Sequence, residues 1–443
     1  MTEESAAHTV AATNYSGWHR PSDWRPITVV RAEGCTFWDS EGRSYLDFAS
    51  QLVNANLGHG NPRIVEAIRA QAETLAYVAP GFATEVRARL SRSLRRVLPA
   101  GLGRFFFSTS GTEANEAALR MARIATGRSR VLALRRSYHG STSASLSVSG
   151  DLRRRAAGTS SEVPGTTFVP ECYCYRCPLK LTYPDCGVAC ADATATALEE
   201  GPEAAALIVE PVIGTNGVIV PVPEYLPKLR AITRKHGTLL IADEVMTGWG
   251  RVGDWFAVQR FGIEPDLLTT AKGITGAAAP LALTATTKEV EDRLGDRMLP
   301  LGHTYEAHPI GLSAGVAAIE EYERLGLPRR SREEGEHLLR RLRELADRHP
   351  SVGEVRGIGL FAAVELVRDR TTRTPFNTED EVLSGRPTVA NAVVRSMADQ
   401  GVYAFSWVSH LVLAPPLIIP RDELDRGIDV LDKALWIADE RAR

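Results

Sequence analysis

Lys272 follows the run Leu267-Leu268-Thr269-Thr270-Ala271 and precedes Gly273-Ile274-Thr275-Gly276. Twenty-nine residues earlier, Asp243 closes the apolar run Leu239-Leu240-Ile241-Ala242. One buried strand ending on a carboxylate and a second ending beside an amine suit the capture of pyridoxal 5'-phosphate. The amine would hold the cofactor aldehyde as an imine, and the carboxylate would keep a proton on the pyridine nitrogen. Lysine is also scarce. Only 6 of the 52 basic side chains are lysine, so one in this setting is not a filler surface charge.

Other polar residues stand at similar places. After the strand-like Arg104-Phe105-Phe106-Phe107 comes Ser108-Thr109-Ser110-Gly111-Thr112-Glu113, opening a helix. Amides at a helix start, with the hydroxyls of Ser110 and Thr112 and a close approach at Gly111, form a cradle for a phosphate. After Val131-Leu132-Ala133-Leu134 comes Tyr138-His139-Gly140, where an aromatic face is available to stack on a ring. After Ala206-Leu207-Ile208-Val209 comes Glu210. Taken singly each is weak: Ser-Gly-Thr is a common helix cap, and Tyr138 or Glu210 alone would more often be packing or structure. Their combination, each at the end of an apolar run, carries the case, because open α/β sheets bind ligands at the carboxyl ends of their strands.

These residues need a sheet to hold them. From about 84 to 315, short apolar runs alternate with helical patterns such as Glu113 to Ala125. That alternation predicts an α/β sandwich on a mostly parallel sheet. Thr36–Asp39, a turn at Ser40-Glu41-Gly42-Arg43, and Tyr45–Phe48 read as a hairpin. Asn61-Pro62 caps a helix expected to run to about Val78. Long helical patterns return beyond 316, including Ser331 to Arg348, followed by strands near Gly359–Leu366 and His410–Ala414. The expected division is 1–74 as the N-terminal part of a small α+β lobe, 75–315 as a large cofactor-binding domain, and 316–443 as the C-terminal part of the small lobe. The first 14 or so residues read as weakly held.

Charge and composition exclude other classes. A net charge of −2 argues against a nucleic-acid binder, and Arg153-Arg154-Arg155 reads as a solvated helix face or loop. No signal peptide opens the chain and no run approaches the ~18 apolar residues of a membrane span, so a cytoplasmic enzyme is expected. Cys172, Cys174, Cys177, Cys186 and Cys190 have a spacing that superficially resembles a zinc site. They are read instead as reduced thiols, with no metal expected, because the chemistry above needs none.

The whole pattern strongly resembles the class III (ω-aminotransferase-like) pyridoxal phosphate enzymes of fold type I, over about 29 to 435. The most specific stretch is Leu240-Ile241-Ala242-Asp243-Glu244-Val245-Met246-Thr247-Gly248-Trp249-Gly250-Arg251, followed by Pro265-Asp266-Leu267 and Ala271-Lys272-Gly273. His303-Thr304-Tyr305-Glu306-Ala307-His308-Pro309 and Leu57-Gly58-His59-Gly60-Asn61-Pro62 match further family blocks. The resemblance implies that Lys272 binds the cofactor covalently and moves the substrate proton, and that Asp243 pairs with the pyridine nitrogen. It places Val245 and Tyr138 on the two ring faces, Ser110, Gly111 and Thr112 on the phosphate, and Glu210 near the cofactor. His139 is either a supporting contact or a structural hydrogen bonder. Thr304 is implied to complete the phosphate site of a neighbouring subunit, making a homodimer with shared active sites.

The sequence departs from the family in ways that bear on substrate. Family members that use amino or keto acids carry an arginine shortly before Pro-Pro-Leu; here no Arg or Lys occurs between Arg395 and Arg421. His410, or an arginine from elsewhere, is the available substitute. Val53 stands where a tryptophan is common, Trp249 where phenylalanine is commoner, and Ala277-Ala278-Ala279 where an aromatic is frequent. Trp18, His19, Trp24 and Trp407 are candidates for the pocket rim. Together these features suggest amino transfer between a donor amine and a carbonyl acceptor, with a bulky polar substrate such as an amino sugar or polyamine of secondary metabolism. Elimination, epimerisation or an amine shift would use the same lysine. A non-catalytic binding protein on this scaffold fits poorly, because the lysine, the aspartate and the cradle are all present.

Overall fold

The computed structural model describes residues 5–18, 20–158 and 162–442. Its centre is a seven-stranded sheet in the order Leu102–Ser108, Ala282–Thr287, Leu267–Thr270, Leu239–Asp243, Ala204–Val209, Arg130–Leu134, Thr166–Val169. Ala282–Thr287 pairs antiparallel with both of its neighbours; the other pairs in this sheet are parallel.

The apolar runs are strands because both of their faces are covered. Ala204–Val209, Leu239–Asp243 and Leu267–Thr270 are buried at every position. Alternate side chains serve opposite layers, as the two-residue period of a strand requires. Val131, Ala133, Ala206, Ile208, Leu239 and Ile241 pack with Ala118, Leu119, Met121 and Ala122 of the helix Gly111–Thr126. Leu132, Leu134, Leu207, Val209, Leu240 and Ala242 belong to the cluster on the other side, with Leu226 and Leu229 of the helix Tyr225–Lys235. Each alternation therefore leaves the strand ends, not the strand faces, free for chemistry.

The chain's two ends meet in a second region. Val29–Glu33, Thr36–Asp39 and Ser44–Asp47 form an antiparallel meander, and Val402–Tyr403 adds to it in parallel, with Val402 opposite Leu46. A further sheet joins Val352–Gly357, Ala362–Asp369, His410–Leu413 and Phe405–Trp407, with Thr374–Pro375 beside Ala362–Asp369. Arg251 ties these segments to the large sheet. Its fully buried guanidinium donates to the carbonyls of Leu360 (2.8 Å) and Pro415 (2.6 Å), to Ser50 Oγ (3.1 Å) and to Asn56 Oδ1 (2.7 Å).

Some details differ from the sequence expectation. The helix capped by Asn61 stops at Thr74, where the side chain of Gln71 donates to the Leu75 carbonyl and closes the last turn. The long helix begins at Leu327, with Pro328 in its first turn, ahead of the pattern's start at Ser331. Ala6–Thr13, expected to be loosely held, forms a helix capped by Ser5 Oγ, yet buries none of its residues. Among the described residues no helix is long and apolar enough to cross a membrane, and no group of three or more His, Cys, Asp or Glu is placed to hold a metal ion.

Candidate active site

Asp243 ends its strand with Asp243 opposite Thr269 of the neighbouring strand. Its carboxylate is held by three donors. Asn115 Nδ2 and His139 Nδ1 each lie 2.7 Å from Oδ2, and the Val245 amide donates to Oδ1 at 3.0 Å. Asn115 is itself fixed, since its Nδ2 also donates to the His139 carbonyl (2.7 Å) and its Oδ1 accepts from Thr269 Oγ1 (2.6 Å). Facing a carboxylate, His139 donates from Nδ1, and among the described residues its buried Nε2 has no partner. A carboxylate so oriented suits a protonated ring nitrogen.

Lys272 follows one strand over. Its backbone takes a left-handed φ of 46°, an arrangement that costs a non-glycine residue roughly 1–3 kcal/mol and persists only where the surroundings enforce it. Tyr322 Oη does so by donating to the Gly273 carbonyl at 2.8 Å, and Trp249 Nε1 by donating to Thr270 Oγ1 at 2.7 Å. Trp249, the departure from phenylalanine, thus contributes a hydrogen bond inside a cluster with Phe256 and Tyr322. The amine of Lys272 has no hydrogen-bond partner among the described residues. Burial pulls its pKa down to about 8, against the opposing charges of Asp243 and Glu210 and with help from the positive charge of Arg153. A lowered pKa raises the neutral fraction near pH 7 well above that of an ordinary lysine, which favours action as a nucleophile and a base.

The helix Gly111–Thr126 starts with a capping box. Ser110 Oγ accepts from the Glu113 amide, and Glu113 Oε2 accepts from the amides of Thr109 (2.7 Å) and Ser110 (3.1 Å). These caps leave the amides of Gly111 and Thr112 at the helix start for an anion. The space is tight by design: a Cβ on Gly111 would come within 2.8 Å of Val245 Cγ2, and one on Gly140 within 2.8 Å of Thr112 Oγ1. Glycine at both places keeps the cradle open. With an amine, a carboxylate and a helix start placed together, these residues fit pyridoxal 5'-phosphate.

Glu210 is held by two amides, accepting from Tyr138 N and Gly214 N at 2.8 Å each. Burial raises its pKa to about 7, opposed by His139 and reinforced by Asp243. It sets the position of Tyr138, the ring expected over the cofactor.

The sequence's rim candidates converge only in part. Trp18 meets the Tyr138 ring edge-on at 5.9 Å between centroids, and Trp407 donates from Nε1 to Asn216 Oδ1 at 2.8 Å. His19 lies outside the described residues, and Trp24 is not among the rings that meet here. Val53 corrects an expectation. At 2% exposed it packs with Val212, Val218, Phe361 and Val412, so its small side chain fills a core and opens no pocket. His410 is also occupied within the protein. It is buried, with Nε2 3.2 Å from Glu365 Oε2 and Nδ1 3.1 Å from the Trp407 carbonyl, so both ring nitrogens are taken up. Thr304 is exposed, and its carbonyl accepts from Tyr77 Oη at 3.0 Å.

Two contributors escaped the sequence reading. Asn115 lies one helical turn beyond Thr112 in a run that reads as ordinary helix, and no local pattern marks it. Arg153 was taken for part of a solvated triplet, yet it is 6% exposed and its guanidinium lies 3.7 Å from the centre of the Tyr138 ring. Arg154 and Arg155 behave as expected of surface charges, pairing with Glu162 and with Glu379 and Asp380.

Known proteins are similar to this chain over nearly its whole length. The family described as aminotransferase class-III matches residues 19–435. Taurine–pyruvate aminotransferase of Rhodobacter capsulatus is 36% identical, over 98% of this chain and 97% of its own. Leucine/methionine racemase of Thermococcus litoralis is 34% identical, over 94% and 92%. The structure of taurine:2-oxoglutarate aminotransferase from Bifidobacterium kashiwanohense, in complex with PLP and glutamate, superposes with a TM-score of 0.92 at 34% identity, covering 99% of this chain and 98% of that one.

Proposed function

The chain belongs to the class-III aminotransferases, which depend on pyridoxal phosphate, and within that family we propose that it moves an amino group from a primary amine to a 2-oxo acid. The observation that carries this reading is the unpaired Lys272 amine beside an Asp243 carboxylate fixed by Asn115 and His139.

Pyridoxal phosphate, when bound, supplies an aldehyde for an amine and an electron sink for the carbon next to the substrate nitrogen. Asp243 would hold a proton at the pyridine nitrogen, which keeps that sink strong. The amides of Gly111 and Thr112, with the hydroxyls of Ser110 and Thr112, would bind the phosphate. Val245 and Tyr138 would flank the ring, and Glu210 holds Tyr138 in place through its backbone amide. Lys272 Nζ takes the proton from the substrate carbon and returns it elsewhere, a task suited to a pKa near 8.

The donor is the open part. A bulky polar amine such as an amino sugar or polyamine now rests on the arginine-free segment before Pro415 and on Ala277-Ala278-Ala279, since Val53 creates no space. The relatives' acceptors, pyruvate and 2-oxoglutarate, favour a 2-oxo acid on the other side of the exchange. A second reading, epimerisation of an amino acid, is favoured by the similarity to leucine/methionine racemase; there Lys272 would return the proton to the same carbon.

The active unit is a homodimer. Leu52 (68% exposed), Phe82 (64%) and Tyr305 (60%) are large apolar side chains turned to solvent, and the Tyr305 ring meets Tyr77, whose hydroxyl donates to the Thr304 carbonyl. Such surface is usually covered by a partner.

The test is a half-reaction. Cofactor-loaded protein is mixed with taurine, β-alanine or putrescine without an acceptor. Amino transfer bleaches the yellow colour with release of one carbonyl product per site. Colour retained with all three, alongside loss of optical activity from L-leucine, would replace this reading with epimerisation.

A further inference from the structure

Arg153 is a buried cation whose terminal nitrogens are not used up. Its Nε donates to Asp151 Oδ2 at 2.7 Å, and its backbone amide to Asp151 Oδ1 at 3.0 Å. Nη2 lies against the same Oδ2, but off the line of its N–H bonds, so that donor has no hydrogen-bonded acceptor. No acceptor is hydrogen-bonded to Nη1 among the described residues. A guanidinium with five donors and one side-on carboxylate keeps donors for a second acid group.

Its surroundings point it at the chemistry. The guanidinium carbon lies 3.7 Å from the ring centre of Tyr138, 4.5 Å from Trp407 and 5.4 Å from Trp18. These are the rings that the cofactor and the pocket rim call for. Its charge is close enough to help lower the pKa of Lys272. The opposite wall is one connected chain: Trp407 Nε1 donates to Asn216 Oδ1, and Asn216 Nδ2 donates to Asp151 Oδ2 at 3.3 Å. Three aromatic faces and an anchored aspartate hold the guanidinium plane in one orientation, which favours two-point contact with a planar acid group.

An aminotransferase must accept two partners in one pocket, and a 2-oxo acid brings a carboxylate that needs a cation when buried. The segment 396–420 offers none. Resting on the amino-transfer reading above, we propose that Arg153 receives the carboxylate of the 2-oxo acid acceptor, and that Asp151 balances its charge while a donor without an acid group occupies the site. The acid group is recognised by a residue in the first turn of the helix Leu152–Ala157, not by the segment before Pro415.

The experiment compares two acceptors that differ in the acid group. Protein loaded with pyridoxamine phosphate is mixed in single turnover with pyruvate or with acetaldehyde. Wild type prefers pyruvate. Arg153→Met is expected to lower the second-order rate constant for pyruvate by about 10²-fold and that for acetaldehyde by less than about threefold, with Arg153→Lys in between, because it keeps charge but loses the planar fork. Calorimetric titration with propionate gives a readout apart from turnover. Its Kd is expected to weaken at least about tenfold in Arg153→Met, and Arg153→Lys serves if the methionine variant does not fold. Parallel losses with both acceptors, or unchanged pyruvate rates and propionate binding in the lysine variant, overturn the proposal. A wild-type protein that turns over neither acceptor overturns the amino-transfer reading itself.

Discussion

His139 Nδ1 meets Asp243 Oδ2 at 2.7 Å, the same oxygen that accepts from Asn115. The two supports are not equivalent. Asn115 is tied at both ends of its amide, to the His139 carbonyl and to Thr269, whereas His139 has a buried Nε2 without a partner. Asp243→Asn removes the negative charge but keeps the shape, and is expected to lower kcat by about 10²–10³-fold. His139→Ala leaves Asn115 in place and is expected to cost only about tenfold. Steady-state rates for the two variants check the ordering; equal losses would mean that the imidazole, not the carboxylate, controls the site.

The Lys272 amine gives a pH dependence. A pKa lowered to about 8 means that half the amine is neutral at that pH, and the reactive fraction falls about tenfold per unit below it. Capture of pyridoxal phosphate by the cofactor-free protein, followed by absorbance, is expected to speed up with pH and level off above about 8. A rate still climbing towards the ordinary lysine value of about 10.5 would contradict the burial of this amine.

Arg251 is a stability residue. Burial pulls its pKa down to about 10, and its acceptors are two carbonyls, a hydroxyl and an amide oxygen, with no carboxylate among them. Arg251→Met preserves apolar volume and strands those four acceptors. The expected loss is about 3 kcal/mol, read as a lower urea midpoint at unchanged slope. A midpoint shift equivalent to under about 1 kcal/mol would show that the segments around Ser50 and Pro415 dock without this clamp.

The Thr304 loop tests the shared site. If its hydroxyl serves the phosphate of a second copy, Thr304→Val weakens cofactor binding by about tenfold while the protein remains a dimer in sedimentation. A monomeric wild-type protein at micromolar concentration would contradict the homodimer.

Much of the site is legible in the sequence because each key residue ends a run that can only be a buried strand. Lys272, Asp243 and Glu210 are read that way, and Ser110 to Thr112 from the cap that Glu113 completes. What is illegible depends on contacts between distant segments. Arg153 shares a triplet with two surface arginines, and nothing local says that one of the three turns inward onto Tyr138 and Trp407. Val53 and His410 stand at suggestive positions, yet the strand pairing of His410–Leu413 with Ala362–Asp369 puts one in a core and the other on Glu365. The helix end at Thr74 rests on one capping contact and the start at Leu327 on Pro328 in the first turn after Gly326, neither of which periodicity resolves.

Lys272 is proposed as the residue that captures the cofactor. Reducing the yellow protein with borohydride would fix that bond, and peptide mass mapping then locates it. One pyridoxyl phosphate adduct per chain is expected, on the peptide that contains Lys272, and none in Lys272→Ala. An adduct on any of the other lysines, or full labelling of the alanine variant, would contradict it.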